Sequence, residues 1–456
     1  RLAMEQKNTV KSWPEAAPRL IAVASGRAPA DLVIRGGQWV NVHTREVLAG
    51  HDIAIAEGRF AAIAPDLSAS IGPDTRVIEA NGRYMIPGLC DAHMHIESGM
   101  LTPAEFAAAV IPHGTTTMFT DPHEIANVLG LRGVKMMHDE ALMQPVNIFT
   151  QMPSCAPSAP GLETTGFEIN PEDVAAAMAW PGIIGLGEMM NFPGVFNGDD
   201  KVHSEMAVTS QSGKVIGGHY ASSDLGVRFH GYAAGGPQDD HEGICKEDAV
   251  ARARQGMRVM MRYGSGWKDV EEQVKAILEE GLEPRLFSLC TDDSHSATVV
   301  NERHMDRAIR HAVSTGLQPM TAIQMATINT AEHFGLTREL GMIAPGRHAD
   351  LLLVKDLQQF SADLVIARGE VVVEDGNLLA DHPLVRYPDW ALQSVHFPHM
   401  LTPVDFTITA LRDFPHTAHV IGIIENQAPT RHLLMTVIPE RSEEHTSELQ
   451  SRQVNS

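Results

Sequence analysis

The chain has 456 residues, of which 43% are hydrophobic and 20% are charged, and its formal net charge at pH 7 is −22. This acidic excess argues against binding to nucleic acid or to an anionic membrane surface. No stretch approaches the roughly 20 consecutive apolar residues that a membrane-spanning helix needs. The composition is that of a globular protein with enough apolar residues for one large domain and a smaller one.

The cysteines are scattered along the chain and follow none of the spacings of zinc-binding motifs. They indicate reduced thiols and therefore a cytoplasmic protein. The cysteines are Cys90, Cys155, Cys245 and Cys290.

The first 80 residues combine one helix with short strands. Residues 16–25 favour a short helix that Gly26 closes. Residues 31–80 contain short apolar runs separated by glycines and charged turn residues, a pattern typical of small antiparallel sheets. A similar pattern returns in residues 349–376, so the two flanks predict one composite β domain.

Between these flanks, apolar strand candidates alternate with helical stretches, which predicts a parallel sheet. Eight candidates end near His93, Asp121, Gln151, Glu188, His219, His241, Arg262 and Asp292. Helical stretches are predicted at residues 103–111, 133–142, 171–179, 246–255, 269–280, 302–315 and 319–333. Eight such units predict a (β/α)8 barrel, whose catalytic residues lie at the carboxyl ends of its strands.

The expected fold class is therefore α/β, a TIM-like (β/α)8 barrel with a small composite β domain built from both flanks. The predicted segments are an N-terminal helical segment (1–30), the first part of the β domain (31–84), the catalytic barrel (85–338), the second part of the β domain (339–380) and the start of a truncated C-terminal domain (381–440). Residues 441–456 break the preceding pattern and are predicted to be a non-native tail.

Two histidines at the end of the first barrel strand suggest a metal site. Residues i and i+2 of a strand point the same way, so His93 and His95 can present both imidazoles to one ion. The alternative is a chance pair of histidines on a surface strand. The later strand ends favour the metal site, because they add further ligand types in the same position.

Those further strand ends carry Glu188, His219, His241 and Asp292. Each has a simpler explanation alone: the histidines could be surface residues, and Asp292 could cap a helix. Six candidates at the strand ends of one barrel favour two divalent ions about 3.5 to 4 Å apart. Glu188 would bridge them, since one carboxylate can give an oxygen to each ion.

Two ions that share a water lower its pKa toward neutrality, which gives a hydroxide that can attack an electrophilic carbon. Asp292 could accept the proton during this attack. Glu97 and Glu124 lie close in sequence to the first two strand ends, and either could carry a proton to the leaving group. The alternative for Glu124 is that it only opens a helix together with Asn127.

Several sequence strings carry a family resemblance. The opening string Pro87-Gly-Leu-Cys-Asp-Ala-His-Met-His-Ile-Glu-Ser98 resembles the first motif of the amidohydrolase superfamily, in the form used by adenine deaminases. The strings Asp121-Pro-His-Glu-Ile-Ala-Asn127 and Gly187-Glu-Met-Met-Asn-Phe-Pro-Gly194 are similar to that family in particular.

The resemblance implies a metal-dependent hydrolase that deaminates adenine to hypoxanthine and ammonia at a binuclear iron or manganese centre. Zinc would also accept this donor set. The implied metal ligands are His93, His95, Glu188, His219, His241 and Asp292. Candidates for contact with the purine are Ser154, Asn191, Asp293 and His304. The expected partner is a small purine rather than nucleic acid or a membrane, and a homodimer remains open.

Glu188 stands where dihydroorotases and hydantoinases carry a carboxylated lysine, which argues against a cyclic-amide hydrolase. The chain departs from the family around His219 and at Arg303, which indicates a divergent subgroup. Other readings therefore stay open: a deaminase of another aminopurine, a cyclic-amide hydrolase, or an inactive metal-binding fragment.

Overall fold

The computed structural model describes residues 10–408 and 415–438. The predicted non-native tail, residues 441–456, lies outside the described residues. The chain divides into two compact units, Arg1–Arg386 and Tyr387–Ser456. The boundaries of the predicted domains stay predictions.

The first unit begins with a helix and a group of short strands. The helix is Trp13–Ala24, close to the prediction. Its apolar side, with Ala16, Leu20 and Val23, is buried. The strands that follow are β1 (Leu32–Asn41), β2 (Glu46–Ala56), β3 (Arg59–Ala64), β4 (Arg76–Glu79) and β5 (Tyr84–Pro87).

The barrel follows directly. Its strands are β6 (Leu89–His95), β7 (Thr115–Thr120), β8 (Asn147–Met152), β9 (Ile183–Met189), β10 (Val215–Gly218), β11 (Asp239–Asp240), β12 (Arg258–Arg262), β13 (Phe287–Cys290) and β14 (Asp292–Asp293). Strands β6 to β10 are successive parallel neighbours, as are β11 to β13, and β14 pairs with β6. Between β10 and β11, the Gln238 backbone N–H donates to the carbonyl of Ile216 (2.9 Å). The predicted barrel is confirmed, and each predicted strand end lies within a few residues of an observed one.

The barrel helices mostly match the prediction. They are Pro103–Val110, His123–Ala141, Pro171–Met178, Phe192–Asn197, Asp200–Gln211, Val227–Gly235, Lys246–Arg254, Val270–Gln273, Lys275–Leu278, Ser296–Glu302, Met305–Ser314, Pro319–Met325 and Ile328–His333. The helix predicted at 133–142 begins ten residues earlier, and Gly130 interrupts it with a φ of +62°. The stretches predicted as single helices at 269–280 and 319–333 each form two short helices. Three observed helices, Phe192–Asn197, Asp200–Gln211 and Val227–Gly235, were not among the predicted ones.

A mixed sheet joins the two flanks of the barrel. After the barrel come β15 (Leu351–Val354), β16 (Ala362–Ala367), β17 (Glu370–Glu374) and β18 (Asn377–Leu378). The strand order is β18-β17-β16-β15-β5-β1-β2-β3, and β4 pairs with β1. Strand β5 connects the flanks, because it pairs antiparallel with β15 and parallel with β1. The predicted composite β domain is confirmed, and the predicted boundary between residues 84 and 85 falls inside β5.

The second unit contains the short helix Asp389–Leu392 and an antiparallel hairpin of β19 (His416–Ile423) and β20 (Thr430–Val437). That these residues begin a larger C-terminal domain stays a prediction. Throughout residues 10–408 and 415–438, every helix is too short or too polar to cross a membrane.

A buried carboxyl group in the barrel wall makes the stability of the fold depend on pH. Glu205 lies in helix Asp200–Gln211, where burial raises its pKa to about 8. The unfolded chain releases this proton at a lower pH than the folded chain does. The free energy of unfolding therefore falls as the pH rises from about 4.5 to about 8. We expect Glu205→Gln to raise the free energy of unfolding by on the order of 2 kcal/mol at pH 8. Little change is expected near pH 4, where both states of the wild type are protonated.

Urea unfolding of both proteins at the two pH values measures this effect. Glu172→Gln is the matched control, because this glutamate is exposed on the neighbouring helix Pro171–Met178. An equal gain from Glu205→Gln at both pH values would contradict the assignment.

Candidate metal centre

The first pair of candidate ligands lies at the end of β6. His93 and His95 are buried, and their Nε2 atoms are 3.1 Å apart. His95 donates its Nδ1 proton to the Asp121 backbone carbonyl (2.8 Å). This hydrogen bond fixes the tautomer and leaves the Nε2 lone pair free toward the cluster.

Glu188, in β9, lies between two pairs of histidines. Its Oε1 is 3.5 Å from His95 Nε2. Its Oε2 is 2.6 Å from His219 Nδ1 and 2.9 Å from His241 Nε2. The Glu188 backbone N–H donates to Asp121 Oδ2 (2.8 Å), which holds the strand end in place. Oε2 is also the Glu188 oxygen nearest to His93 Nε2, at 3.7 Å. Oε1 therefore faces His95, and Oε2 faces His93, His219 and His241, so the carboxylate lies within reach of both histidine pairs, as a bridging group requires.

Asp292 completes the cluster from β14. Its Oδ1 is 3.3 Å from His95 Nε2 and 4.0 Å from His93 Nε2. Its backbone adopts the left-handed conformation, with a φ of +56°. The alternative role as a helix cap is wrong, because His295 caps the next helix.

The donor set fits divalent cations. Among the described residues, five groups of possible ligand atoms each lie within 4.8 Å of one another, and two of them include His123. The other three contain only the six candidates: His93, His95 and Glu188; His93, His241 and Asp292; and Glu188, His219 and His241. Imidazole nitrogens that face one another at about 3 Å, with carboxylates between them, are placed as ligands of a shared cation. The structure thus brings together all six residues that the sequence singled out.

The charges around Glu188 keep it ionised. Burial disfavours its charged form, yet the positive field of His219 and hydrogen bonds from His123, His219 and His241 hold its pKa well below the ordinary value. A permanently charged carboxylate at this position would offset the charge of bound cations.

The two candidates for proton transfer lie together on the His95 side of the cluster. Glu124 Oε1 is 3.5 Å from His95 Nδ1 and 3.8 Å from His123 Nε2. Glu97 accepts a hydrogen bond from the Ile125 backbone N–H (3.4 Å). Burial and the nearby Glu124 charge raise the pKa of Glu97 to about 8. Glu124 also lies in the first turn of helix His123–Ala141. Its position therefore agrees both with a role in proton transfer and with the alternative role at the start of a helix.

Two of the four substrate candidates, Ser154 and Asp293, lie directly beside candidate ligands, and Asn191 follows Glu188 by three residues. Ser154 donates from Oγ to the Glu188 carbonyl (2.9 Å). Asn191 caps helix Phe192–Asn197 by accepting from the Gly194 N–H (3.0 Å). Asp293 follows Asp292 in β14 and accepts a hydrogen bond from Ser98 Oγ.

The structure does not bring His304 to the barrel mouth. Its Nδ1 is 2.9 Å from the hydroxyl of Thr115, which begins β7 at the opposite end from the ligands. Its Nε2 is 3.3 Å from Asp91 Oδ2, and its ring packs against Phe106. The physical reason is its place just before the buried helix Met305–Ser314, which carries the ring into the barrel wall.

Three polar residues join the cluster without having been predicted as site residues. His123 Nδ1 is 3.2 Å from Glu188 Oε1. Arg262 Nη1 is 3.1 Å from Asp292 Oδ2, and it also donates to Glu242. Signals were present, because His123 lies in a family-like string, Glu242 directly follows the candidate ligand His241, and Arg262 ends a predicted strand.

Comparison with known proteins gives a consistent family. Residues 84–372 match the amidohydrolase family model. An adenine deaminase of Ruegeria pomeroyi is 67% identical over 429 residues, 94% of this chain and 71% of the relative. An adenine deaminase of Roseobacter denitrificans is 66% identical over 423 residues, 92% of this chain and 70% of the relative.

A solved structure shares the fold. A β-aspartyl dipeptidase from Fervidobacterium islandicum aligns with a TM-score of 0.59 and 17% identity, over 76% of this chain and 97% of that chain. Fold, motifs and sequence identity agree with the predicted family. The chain belongs to the amidohydrolase family and, within it, to the adenine deaminases.

Proposed function

We propose that this chain hydrolyses adenine to hypoxanthine and ammonia with two divalent metal ions held at its barrel mouth. The observation that carries this function is the 67% identity with an adenine deaminase across 94% of the chain. The convergence of the donor residues supports it. The free, mostly buried cysteines are consistent with a cytoplasmic location.

The six ligands divide into two groups around Glu188. His93, His95 and Asp292 would hold one ion, His219 and His241 the other, and Glu188 both. Manganese or iron is the proposed metal, and zinc fits the same donors. Two ions bound there would lower the pKa of a shared water toward neutrality.

Residues of the chain would then transfer the protons. Asp292 accepts a proton from the water as the water oxygen adds to C6 of adenine. One water proton reaches N1 of the ring and the other reaches the departing amino group. Ammonia leaves, C6 keeps the oxygen, and hypoxanthine remains. Glu124 would pass a proton on, and its position against His95 and His123 at the edge of the cluster supports this role.

Glu124→Gln tests this shuttle. We expect kcat for adenine to fall about 10²-fold or more, because the amide cannot relay a proton. Glu97→Gln should have a smaller effect, since Glu97 acts only through its neighbour Glu124. Steady-state ammonia release measures both variants, and bound metal per chain serves as the control. The reverse order of effects would make Glu97 the shuttle.

Metal content and substrate use test the function itself. Protein purified without added metal is depleted with a chelator and then reloaded with manganese(II) or iron(II). We expect about two ions per chain and recovery of ammonia release from adenine. Elemental analysis that finds no bound metal under any loading condition would contradict the site.

The alternatives differ in their products. A deaminase of another aminopurine would release ammonia from a 2-amino or N6-substituted purine faster than from adenine. A cyclic-amide hydrolase would open a ring and release no ammonia. An inactive metal-binding fragment would bind two ions and turn over none of these compounds.

A further inference from the structure

Arg262 is a fully buried charge that touches the candidate centre without being a metal ligand. It is the last residue of β12 and has no exposed surface. Its guanidinium contacts three carboxylates. Nε donates to Asp269 Oδ2 (2.8 Å), and Nη1 donates to Glu242 and to Asp292 Oδ2 (3.1 Å).

The contact with Arg262 divides the two oxygens of Asp292. Oδ2 accepts a hydrogen bond from Arg262 and lies 4.0 Å from His241 Nε2. Oδ1 lies on the side of His95 and His93, at 3.3 and 4.0 Å from their Nε2 atoms. A carboxylate without such a partner turns about its last side-chain bond, because this torsion has a broad energy minimum. Arg262 therefore fixes the orientation of the Asp292 carboxylate plane, with one oxygen on the guanidinium and the other directed at His93 and His95.

Asp269 contacts Arg262 on the side of the guanidinium that faces away from Asp292. Asp269 lies at the start of helix Val270–Gln273, and its carboxylate contacts Nε of Arg262 rather than Asp292. The Trp267 ring lies 5.0 Å from the guanidinium carbon. A planar fork can contact carboxylates on two sides in one fixed orientation, which a lysine ammonium cannot do.

We propose that Arg262 is a positioning residue that fixes the Asp292 carboxylate with Oδ1 toward the histidine pair, and that Asp269 fixes Arg262. The proposal rests on the proposed function, in which Asp292 accepts the proton of the attacking water. It assigns to an arginine outside the set of candidate ligands the orientation of the group that takes this proton.

The test compares Arg262→Lys and Asp269→Asn with the wild type. For Arg262→Lys we expect kcat for adenine to fall about 10²-fold with little change in KM, because a misplaced group loses rate rather than binding. Asp269→Asn should lower kcat in the same direction, about tenfold, since it loosens only the support of Arg262. Metal content should equal that of the wild type in both.

A second readout does not depend on activity. Each apoprotein is loaded with cobalt(II), whose visible absorption responds to the position of its ligands. We expect an altered spectrum for Arg262→Lys and Asp269→Asn. Arg59→Lys is the matched control, because Arg59 is an equally buried arginine that pairs with Glu339 in the mixed sheet. It should lower the melting temperature and change neither kcat nor the spectrum.

Wild-type kcat and spectrum in Arg262→Lys, or a loss of kcat matched by an equal loss of metal, would overturn the proposal. If Arg262→Lys does not fold, the same criteria apply to Asp269→Asn. A wild-type protein that does not deaminate adenine would overturn the proposed function instead. The cobalt spectra would then still decide whether Arg262 positions Asp292.

Discussion

Glu188→Gln is expected to abolish adenine deamination while the fold survives. The side chain keeps its size, but the neutral amide offers one acceptor oxygen in place of two charged oxygens that both face histidines of the cluster. Because a metal centre supplies several kcal/mol of transition-state stabilisation, we expect kcat to fall by roughly three orders of magnitude or more. Ammonia release measures the loss, and elemental analysis should show fewer than two ions per chain.

Glu205→Gln is the matched control for this variant. Glu205 is as deeply buried as Glu188, but it lies in a helix of the barrel wall. The control should keep wild-type kcat and two ions per chain. A Glu188→Gln protein with full activity would show that this carboxylate does not bridge the metals.

Asp292→Asn is expected to lower kcat by about 10² to 10⁴-fold, the range attributed to a positioned proton acceptor. Asparagine can still accept the Arg262 hydrogen bond through its amide oxygen, so the side chain stays in place, but it cannot take a proton. We expect KM to change little, because Asp292 acts on the water rather than on the purine. Steady-state kinetics with adenine separate the two parameters.

Asp306→Asn controls for the loss of a buried carboxylate elsewhere in the barrel. Asp306 is fully buried at the start of helix Met305–Ser314, where it pairs with Arg310. This variant should lose stability and keep its kcat. Near-normal turnover by Asp292→Asn would mean that another group accepts the water proton.

The barrel and the convergence of its candidate ligands were predictable because two simple rules apply to them. Alternating apolar strands and helices predict a parallel barrel, and the carboxyl ends of its strands meet at one mouth. His93, Glu188 and Asp292 could therefore be placed together although they are far apart in the sequence. Each of them has a side chain that can bind a metal ion and lies at the end of a strand. The local sequence pattern and the barrel topology therefore predict the same position for it.

The remaining contacts depend on side-chain directions that no sequence period encodes. Arg262 ends a strand, as the candidate ligands do, but its contacts with Asp269 and Asp292 can be seen only in the folded structure. His304 carries a ligand-type side chain, yet its position before a buried helix turns it toward Thr115. The early start of helix His123–Ala141 was missed because Gly130 breaks the apolar periodicity in its middle.

Strand β5 has a consequence for the order in which the chain can fold. A single residue, Gly88, separates it from β6 and its histidines, and a Cβ atom at Gly88 would lie 2.1 Å from Thr116 Oγ1. The antiparallel partner of β5 is Leu351–Val354, so this strand stays half unpaired until the ribosome has released the end of the barrel and the segment beyond it. We therefore expect the carboxyl end of β6, with the candidate ligands His93 and His95, to become rigid late in synthesis, after most of the long-range contacts have formed.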